Sequence, residues 1–345
     1  MKQGNIKNRS VKKTMSVVLG VIIVLITSLV TCGLLFAVSF LGVFGEIQVR
    51  DPDIRGALSK PTGDSANILL IGADKGGLLT DTIMLINFNN EKNEINMVSI
   101  MRDTRVMVKG RPARINSCAA RGGTSLLIET VSELTGADIN YYMKVNTAGF
   151  KKIVDLLDGV EFDVPQDMKY TDEAQDLYID LKAGPQRLNG DKAEQLVRYR
   201  GYGAADVQRT KVQQEFMKAF IMQKLNPKYI TKINDLFKII SENVETNITI
   251  ETLFRYIGYA DKITEDSIVT HAMEGRGQRI NGADYFIHDY DKCYDLFKEF
   301  FMGDGAPTTH TYIIPKSQNV VQTQSTSQTQ SDQPEQEDLT DIPSD

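Results

Sequence analysis

The stretch Ala66–Thr104, ANILLIGADKGGLLTDTIMLINFNNEKNEINMVSIMRDT, constrains this chain more than any other. Ile68–Ile71 is a short continuous apolar run, as expected of a strand buried on both faces. It stops at Gly72-Ala73-Asp74, which leaves a carboxylate just past the strand's C-terminal end. A second strand is predicted over Thr82–Phe88, after Asp81. A third is predicted over Ile95–Met101, running into Arg102-Asp103. Only the polar run Asn89–Asn93 separates these two, and so short a connection implies an antiparallel pair. Asp74, Asp81 and Arg102 therefore stand at strand ends, where open sheets bind ligands. Solvated turn chemistry is the competing account of any one of them.

The N-terminus sets the second constraint. Lys2, Lys7, Arg9, Lys12 and Lys13 make residues 1–14 basic, and Met15–Gly45 carries no charged residue. A charge-free run of this length exceeds the ~20 residues that cross a bilayer. The basic flank predicts a cytoplasmic N-terminus, with everything after Glu46 outside the membrane. A cleaved signal peptide is the rival, with Ala37-Val38-Ser39 as a weak cleavage site. The apolar run is too long for an ordinary signal core. The 345 residues carry a net charge of −6, which argues against a nucleic-acid partner.

Cys32 lies in the apolar run, and Cys118 and Cys293 have no spacing that requires them to pair. His271, His288 and His310 show no metal-ligand spacing. Residues 46–66 read as a linker, and the polar, then acidic, residues 316–345 as a disordered tail. One folded domain is left at residues 67–315.

Within it, strand and helix signals alternate. Thr124–Leu134 reads as a helix after Gly122-Gly123, with Gly136 as C-cap. Tyr141–Val145 reads as a strand. Asn146 can cap a helix that runs to Asp158 and stops at Gly159, and Val160–Val164 alternates as a strand. Asp167–Leu188 is polar and reads as a loop over a site. Asn189 can cap a helix through Leu196, and further helices are predicted over Asp206–Leu225, Thr249–Lys262 and Asp289–Phe301. The pattern predicts an α/β domain: a mixed central β-sheet flanked by helices on both faces, after one N-terminal transmembrane helix.

A second stretch carries chemistry. In Val197-Arg198-Tyr199-Arg200, the two arginines point the same way if the backbone is extended. Asp206, Arg209 and Gln213 are spaced i, i+3, i+7 and share one helix face, which continues to Phe216 and Phe220. Burial explains the phenylalanines. The polar residues fit either an internal Asp206–Arg209 ion pair or a site.

These pieces together resemble the LytR-CpsA-Psr family of cell-wall glycopolymer transferases. The matching motifs are LLIGAD (Leu69–Asp74), TDTIML (Thr80–Leu85), SIMRDT (Ser99–Thr104), RIN…RGG (Arg114–Gly123), VDLLDGVEFDV (Val154–Val164), LVRYR (Leu196–Arg200) and Asp206…Arg209…Gln213-Gln214. The resemblance implies an extracellular domain of a single-pass cell-membrane protein. Its donor would be a polyprenyl-pyrophosphate-linked glycan, whose phospho-glycan moves to a peptidoglycan hydroxyl. Asp74 and Asp81 would hold Mg²⁺, with Mn²⁺ the alternative. Arg102, Arg198, Arg200 and Arg209 would grip the pyrophosphate. Asp206 and Gln213 would orient those arginines or the acceptor, and Asp103 would buttress Arg102.

The chemistry is consistent. Guanidinium groups bind phosphate oxygens bidentately, and Mg²⁺ prefers one or two carboxylates plus phosphate oxygens. Phosphoryl transfer needs positioning and charge stabilisation rather than a covalent nucleophile. Gly72–Gly77 lacks the spacing of a Walker loop, so a soluble nucleotide donor is not suggested. The chain departs from the family pattern at Leu79, where an arginine is expected, at Val212, where a basic residue is expected, and at Cys118, where alanine is expected. Lys75 on the same loop is the expected substitute for the missing arginine. A binding protein without turnover and a pyrophosphate hydrolase are the two competing functions.

Overall fold

The computed structural model describes residues 54–61, 65–73, 80–202, 205–257 and 259–302. The predicted membrane segment, Asp74, Lys75, Leu79, His310 and the acidic tail lie outside them, as does the side chain of Asp206. Among the described residues no helix is long and apolar enough to cross a membrane.

The first three strands form the expected meander. β1 (Ser65–Ala73) pairs antiparallel with β2 (Thr80–Asn89), which pairs antiparallel with β3 (Glu94–Ser99). Asn93, at φ 52°, makes the tight β2–β3 turn, a left-handed conformation that asparagine tolerates. β3 ends two residues short of the predicted Met101, so Arg102 and Asp103 lie in the turn beyond it. β4 (Arg105–Val108) and β5 (Arg111–Arg114) form a hairpin whose turn residues Lys109 and Gly110 both have positive φ, as a type I′ turn requires. α1 (Cys118–Thr135) is broken at Gly122-Gly123, so its regular part starts at Thr124, and Gly136 caps it at φ 69°.

β6 (Tyr141–Asn146) leads into α2 (Thr147–Leu156), and the Asn146 side chain accepts the Gly149 N–H at 2.7 Å. β7 (Val160–Val164) follows. The predicted loop over Asp167–Leu188 is instead three strands: β8 (Met168–Asp172), β9 (Leu177–Leu181) and β10 (Gly184–Leu188). Met168, Leu177, Ile179, Leu181 and Leu188 are buried, a period-two apolar set hidden among charged residues that point outward. Asn189 caps α3 (Gly190–Arg198) by accepting the Lys192 N–H. Then come α4 (Ala205–Lys224), α5 (Ile233–Asn243), β11 (Val244–Thr246) and α6 (Ile250–Ile257). The last elements are β12 (Ile268–Ala272), the hairpin β13 (Gly275–Ile280) and β14 (Ala283–His288), and α7 (Tyr290–Phe300), capped by Asp289.

The central sheet has the order β11-β6-β1-β2-β3-β12. β1, β3, β6 and β12 run in one direction, and β2 and β11 run against them. The C-terminal ends of four strands therefore share one edge. One face of the sheet packs Leu69, Ile71, Ile83, Leu85 and Val98 beneath α1 and α7. The other carries Leu70, Met84, Ile86 and Met97, against Met217, Ile221 and Met222 of α4. A separate core joins α2, α3 and β7–β10, and α4 feeds Val212 and Phe216 into it. Helix α4 is thus apolar on two sides because it separates two cores. Residues 46–66, read as a linker, contain a helical turn at Ile54–Ala57 with Ile54 fully buried. Cys118 and Cys293 are both buried and free.

Candidate active site

The common strand edge opens onto a cavity of about 610 Å³, bounded by β1, β2, β6, α4 and the β8–β9 hairpin. Its wall has two chemistries. Leu70, Met84, Val145, Phe150, Phe216 and Met217 make an apolar side. Asp81, Arg102, Arg198, Arg200, Arg209 and Gln213 make a polar one.

Asp81 owes its aim to a local irregularity. Gly72 pairs with Thr82 and Ala73 with Thr80, so Asp81 is the unpaired residue of a β-bulge. Bulges re-aim side chains beside functional sites. Gly72 permits the close approach, since a Cβ there would meet the Thr82 Cβ at 3.1 Å. Arg102 Nη1 lies 3.3 Å and Arg200 Nη2 3.5 Å from Asp81 Oδ1. Both distances exceed the 2.7–2.9 Å of a tight charge-assisted bond. The two guanidiniums converge on a half-exposed carboxylate without being locked by it. Arg102 is held from behind, with Nε 3.5 Å from Asp103 Oδ2, and Asp103 Oδ1 takes Arg114 Nη1 at 3.3 Å. The Asn116 N–H donates to the Arg102 carbonyl at 3.1 Å and fixes that turn.

Arg198 and Arg200 reach the same cavity, but not from a common extended strand. Arg198 is the last residue of α3, and the chain becomes extended only at Tyr199. Arg198 donates to Glu194 Oε1 at 2.7 Å, one helical turn back, and to Gln175 Oε1 at 3.1 Å, from the turn between β8 and β9. Lys151 Nζ lies 3.5 Å from Glu194 and also bonds Asp191, and that bond chiefly holds its ammonium above the usual lysine range. Arg209 is buried on α4. Gln213 donates to the Val197 carbonyl at 2.8 Å, so it pins the backbone that carries Arg198. Phe216 continues the helix face as expected, meeting Phe150 and Phe162 edge-on, each at 5.9 Å. Phe220 packs behind it rather than on the cavity.

The far rim holds Tyr170, Asp172, Gln175, Asp176 and Glu194, none singled out in the sequence, although the first four fall in the segment expected to lie over a site. Glu194 is within reach of sequence reasoning, being an i, i+4 partner of Arg198 on a capped helix. The hairpin residues are not, because outward-facing charges hide the period-two apolar set of their strands.

For a divalent cation, the described residues offer Asp81, a hard oxygen donor that is half exposed on the cavity. They contain no cluster of three His, Cys, Asp or Glu side chains that could hold a metal ion by themselves. A half-exposed carboxylate on the cavity is the kind of donor Mg²⁺ takes, since it uses few carboxylates and completes its shell with phosphate oxygens and water.

A mixed sheet with an arginine-lined, half-apolar cavity at its strand edge belongs to a recognised class. The chain is a member of the LytR_cpsA_psr family, whose model matches residues 47–301. Among its relatives is TagU of Bacillus subtilis (strain 168), named a polyisoprenyl-teichoic acid–peptidoglycan teichoic acid transferase. It is 32% identical over 244 residues, covering 68% of this chain and 77% of that protein. The Bacillus cereus (strain ATCC 14579) protein of the same name is 35% identical over 215 residues, covering 59% and 68%. The crystal structure of B. subtilis TagV superposes with a TM-score of 0.61 at 26% identity, covering 69% of this chain and 98% of that one. A structure of TagT bound to LIIa-WTA shares the fold, with a TM-score of 0.58 at 23% identity over 70% and 93% of the two chains.

Proposed function

We propose that this chain is a phosphotransferase that moves a phospho-glycopolymer, of the teichoic acid class, from a polyprenyl-pyrophosphate carrier to a peptidoglycan hydroxyl. The observation that carries this reading is the convergence of Arg102 and Arg200 on Asp81, with Arg198 and Arg209 on the same wall and an apolar surface beside them. The names of the relatives supply the polymer and the acceptor. Met15–Gly45 would hold the domain at the outer membrane surface, where a lipid-linked donor resides.

In the reaction the acceptor oxygen attacks the phosphorus that bears the glycan. The P–O–P bridge breaks, polyprenyl phosphate leaves with the bridging electron pair, and the acceptor proton is released. Arg102, Arg200 and Arg209 bind the phosphoryl oxygens, with Arg102 and Arg200 giving up their loose contacts to Asp81. Gln213 and Glu194 fix the segment that presents Arg198. Phe150, Phe216, Met84 and Met217 take the prenyl chain. Mg²⁺, held by Asp81 and Asp74, would neutralise charge on the pyrophosphate.

The test uses the full chain in detergent, a polyprenyl-pyrophosphate glycan, Mg²⁺ and peptidoglycan. The wild type should transfer glycan, and Asp81→Asn should lower the rate by about 10²–10³-fold with the melting temperature unchanged. A steep fall in melting temperature with persisting Mg²⁺ dependence would make Asp81 structural. Donor binding without transfer would favour a binding protein, and release of phosphorylated glycan to water a hydrolase.

A further inference from the structure

Residues 100–121 hold six Lys or Arg against one Asp, in a chain of net charge −6. Of these only Arg102 lines the cavity. The excess extends across a small surface sheet outside it. Thr104 forms a parallel bridge with Phe286, and the Phe286 N–H donates to the Asp103 carbonyl at 2.9 Å. This joins the two hairpins edge to edge in the order β13, β14, β4, β5.

The registers decide which side chains share a face. Thr104 is fully buried and Phe286 packs on the core, so this pair points inward. Arg105 and Ile287, one residue on, point outward. Arg105 is opposite Arg114, and Ile287 is opposite Arg276. One outward row therefore reads Arg276, Ile287, Arg105, Arg114 across four strands, a span of about 14 Å at ordinary strand spacing. Ile287 is buried although it faces outward, flanked by the Arg276 and Arg105 positions. Arg105 Nε is buried with no hydrogen-bond partner among the described residues. At its inner end the row meets the site: Arg114 pairs with Asp103, which backs Arg102 on Asp81. Arginines thus recur from the cavity to the outer hairpin, interrupted by Asp103 beside the site and by Ile287 on β14.

Resting on the phosphotransferase reading, we propose that this row is a track for the polymer part of the donor, a linear phosphodiester polyanion whose successive phosphates lie along Arg114, Arg105 and Arg276. Guanidinium groups suit phosphate oxygens better than ammonium groups do. A row of them recognises charge spacing rather than any one sugar. The track makes the enzyme favour polymer-bearing donors over bare ones.

The full chain is assayed in detergent with two donors: a prenyl-pyrophosphate disaccharide, and the same lipid extended by poly(glycerol phosphate). Arg276 is exposed, so Arg276→Glu should fold normally. It should raise the ratio of long-donor to short-donor KM by about threefold or more. The same ratio should stay at the wild-type value in Lys238→Glu, an exposed lysine on α5. Free poly(glycerol phosphate) should bind the wild type with an affinity that falls as salt rises, and less steeply in Arg276→Glu. An unchanged KM ratio and an unchanged salt slope overturn the track. So does a variant whose KM rises for peptidoglycan instead of donor, which would assign the row to the acceptor. If neither donor is a substrate of the wild type, the phosphotransferase reading fails, and the salt titration still decides whether the row binds a polyphosphodiester.

Discussion

The two faces of the central sheet are built from the same strands and do opposite things. Leu69, Ile71, Ile83 and Leu85 point to one face and are at most 1% exposed beneath α1 and α7. Leu70 and Met84, their immediate neighbours in sequence, point to the other and border the cavity. The difference lies in what covers each face. Helices α1 and α7 turn their apolar stripes onto the sheet and close it. The layer of β7–β10 with α2 and α3 has a core of its own, so it stands off and leaves space. The aliphatic face holds the fold together. The other face, lined by methionine and phenylalanine, adapts to a guest. Alternation along one strand is enough to separate stability from binding.

Changes on the two faces should therefore register in different measurements. The largest effect is expected from Leu69→Ala, which empties a closed core and should cost about 2–5 kcal/mol of stability in denaturant unfolding. Donor affinity of the remaining folded protein should stay as it was, and a large affinity loss would break the comparison. Next comes Arg102→Ala on the open side. Losing one charge-assisted contact, at about 1.5–3 kcal/mol, should weaken donor binding roughly ten- to a hundredfold and leave the melting temperature within a degree or two. Met84→Trp pushes into the cavity from a residue that is itself 1% exposed and packs against α4, so some stability is lost with it. It should lower activity with long prenyl donors by about tenfold while sparing short ones, and an equal loss on both would remove Met84 from the lipid wall.

The smallest effect is electrostatic and belongs to the closed side. Burial pushes His271 and His288 below the usual histidine range. His271 lies under Phe300, with ring centroids 4.2 Å apart, and bonds the Asn96 side chain. His288 is buried, and its Nε2 has no hydrogen-bond partner among the described residues. Burial disfavours the charged form of both in the fold, while the unfolded chain takes up protons near pH 6.5. Their stability contribution is complete above that pH and is lost as pH falls through the lower folded values. Thermal melts from pH 7.5 to 5 should show falling stability, with a shallower slope in His288→Gln.

Much of the sheet was legible because its signals are local. The Asn89–Asn93 turn, the Asn146 and Asn189 caps and the Gly136 terminus each depend on residues a few positions apart. β8 and β9 were not legible, because their outward lysines and aspartates masked a period-two apolar set. The edge strands β11 and β12, of three and five residues, carry no signal of their own and exist by pairing with β6 and β3. Asp81, Arg102, Arg198, Arg200, Arg209 and Gln213 line one cavity, while Asp74, Lys75 and the Asp206 side chain lie outside the described residues. That Asp81 is a bulge residue, and that Gln175 reaches Arg198, follow from pairings between distant segments that no window of sequence displays.

The side chain of Asn67, near the start of β1, donates to the carbonyl of Phe301 at 2.7 Å across 234 positions of chain. The same asparagine accepts from Asn87, and its backbone exchanges bonds with Asn140. The first strand is therefore tied to the last helix. During synthesis, β1, β2 and β3 can pair as soon as they emerge, but β12 and the Phe301 tie must wait for nearly the whole domain. Such distant contacts slow folding and leave partly built sheets with an open edge. Arg102 would be made early and Arg200 and Arg209 about a hundred residues later, so an incomplete chain lacks the converging cations. A truncated chain ending before Phe301 should be more protease-sensitive than the full chain.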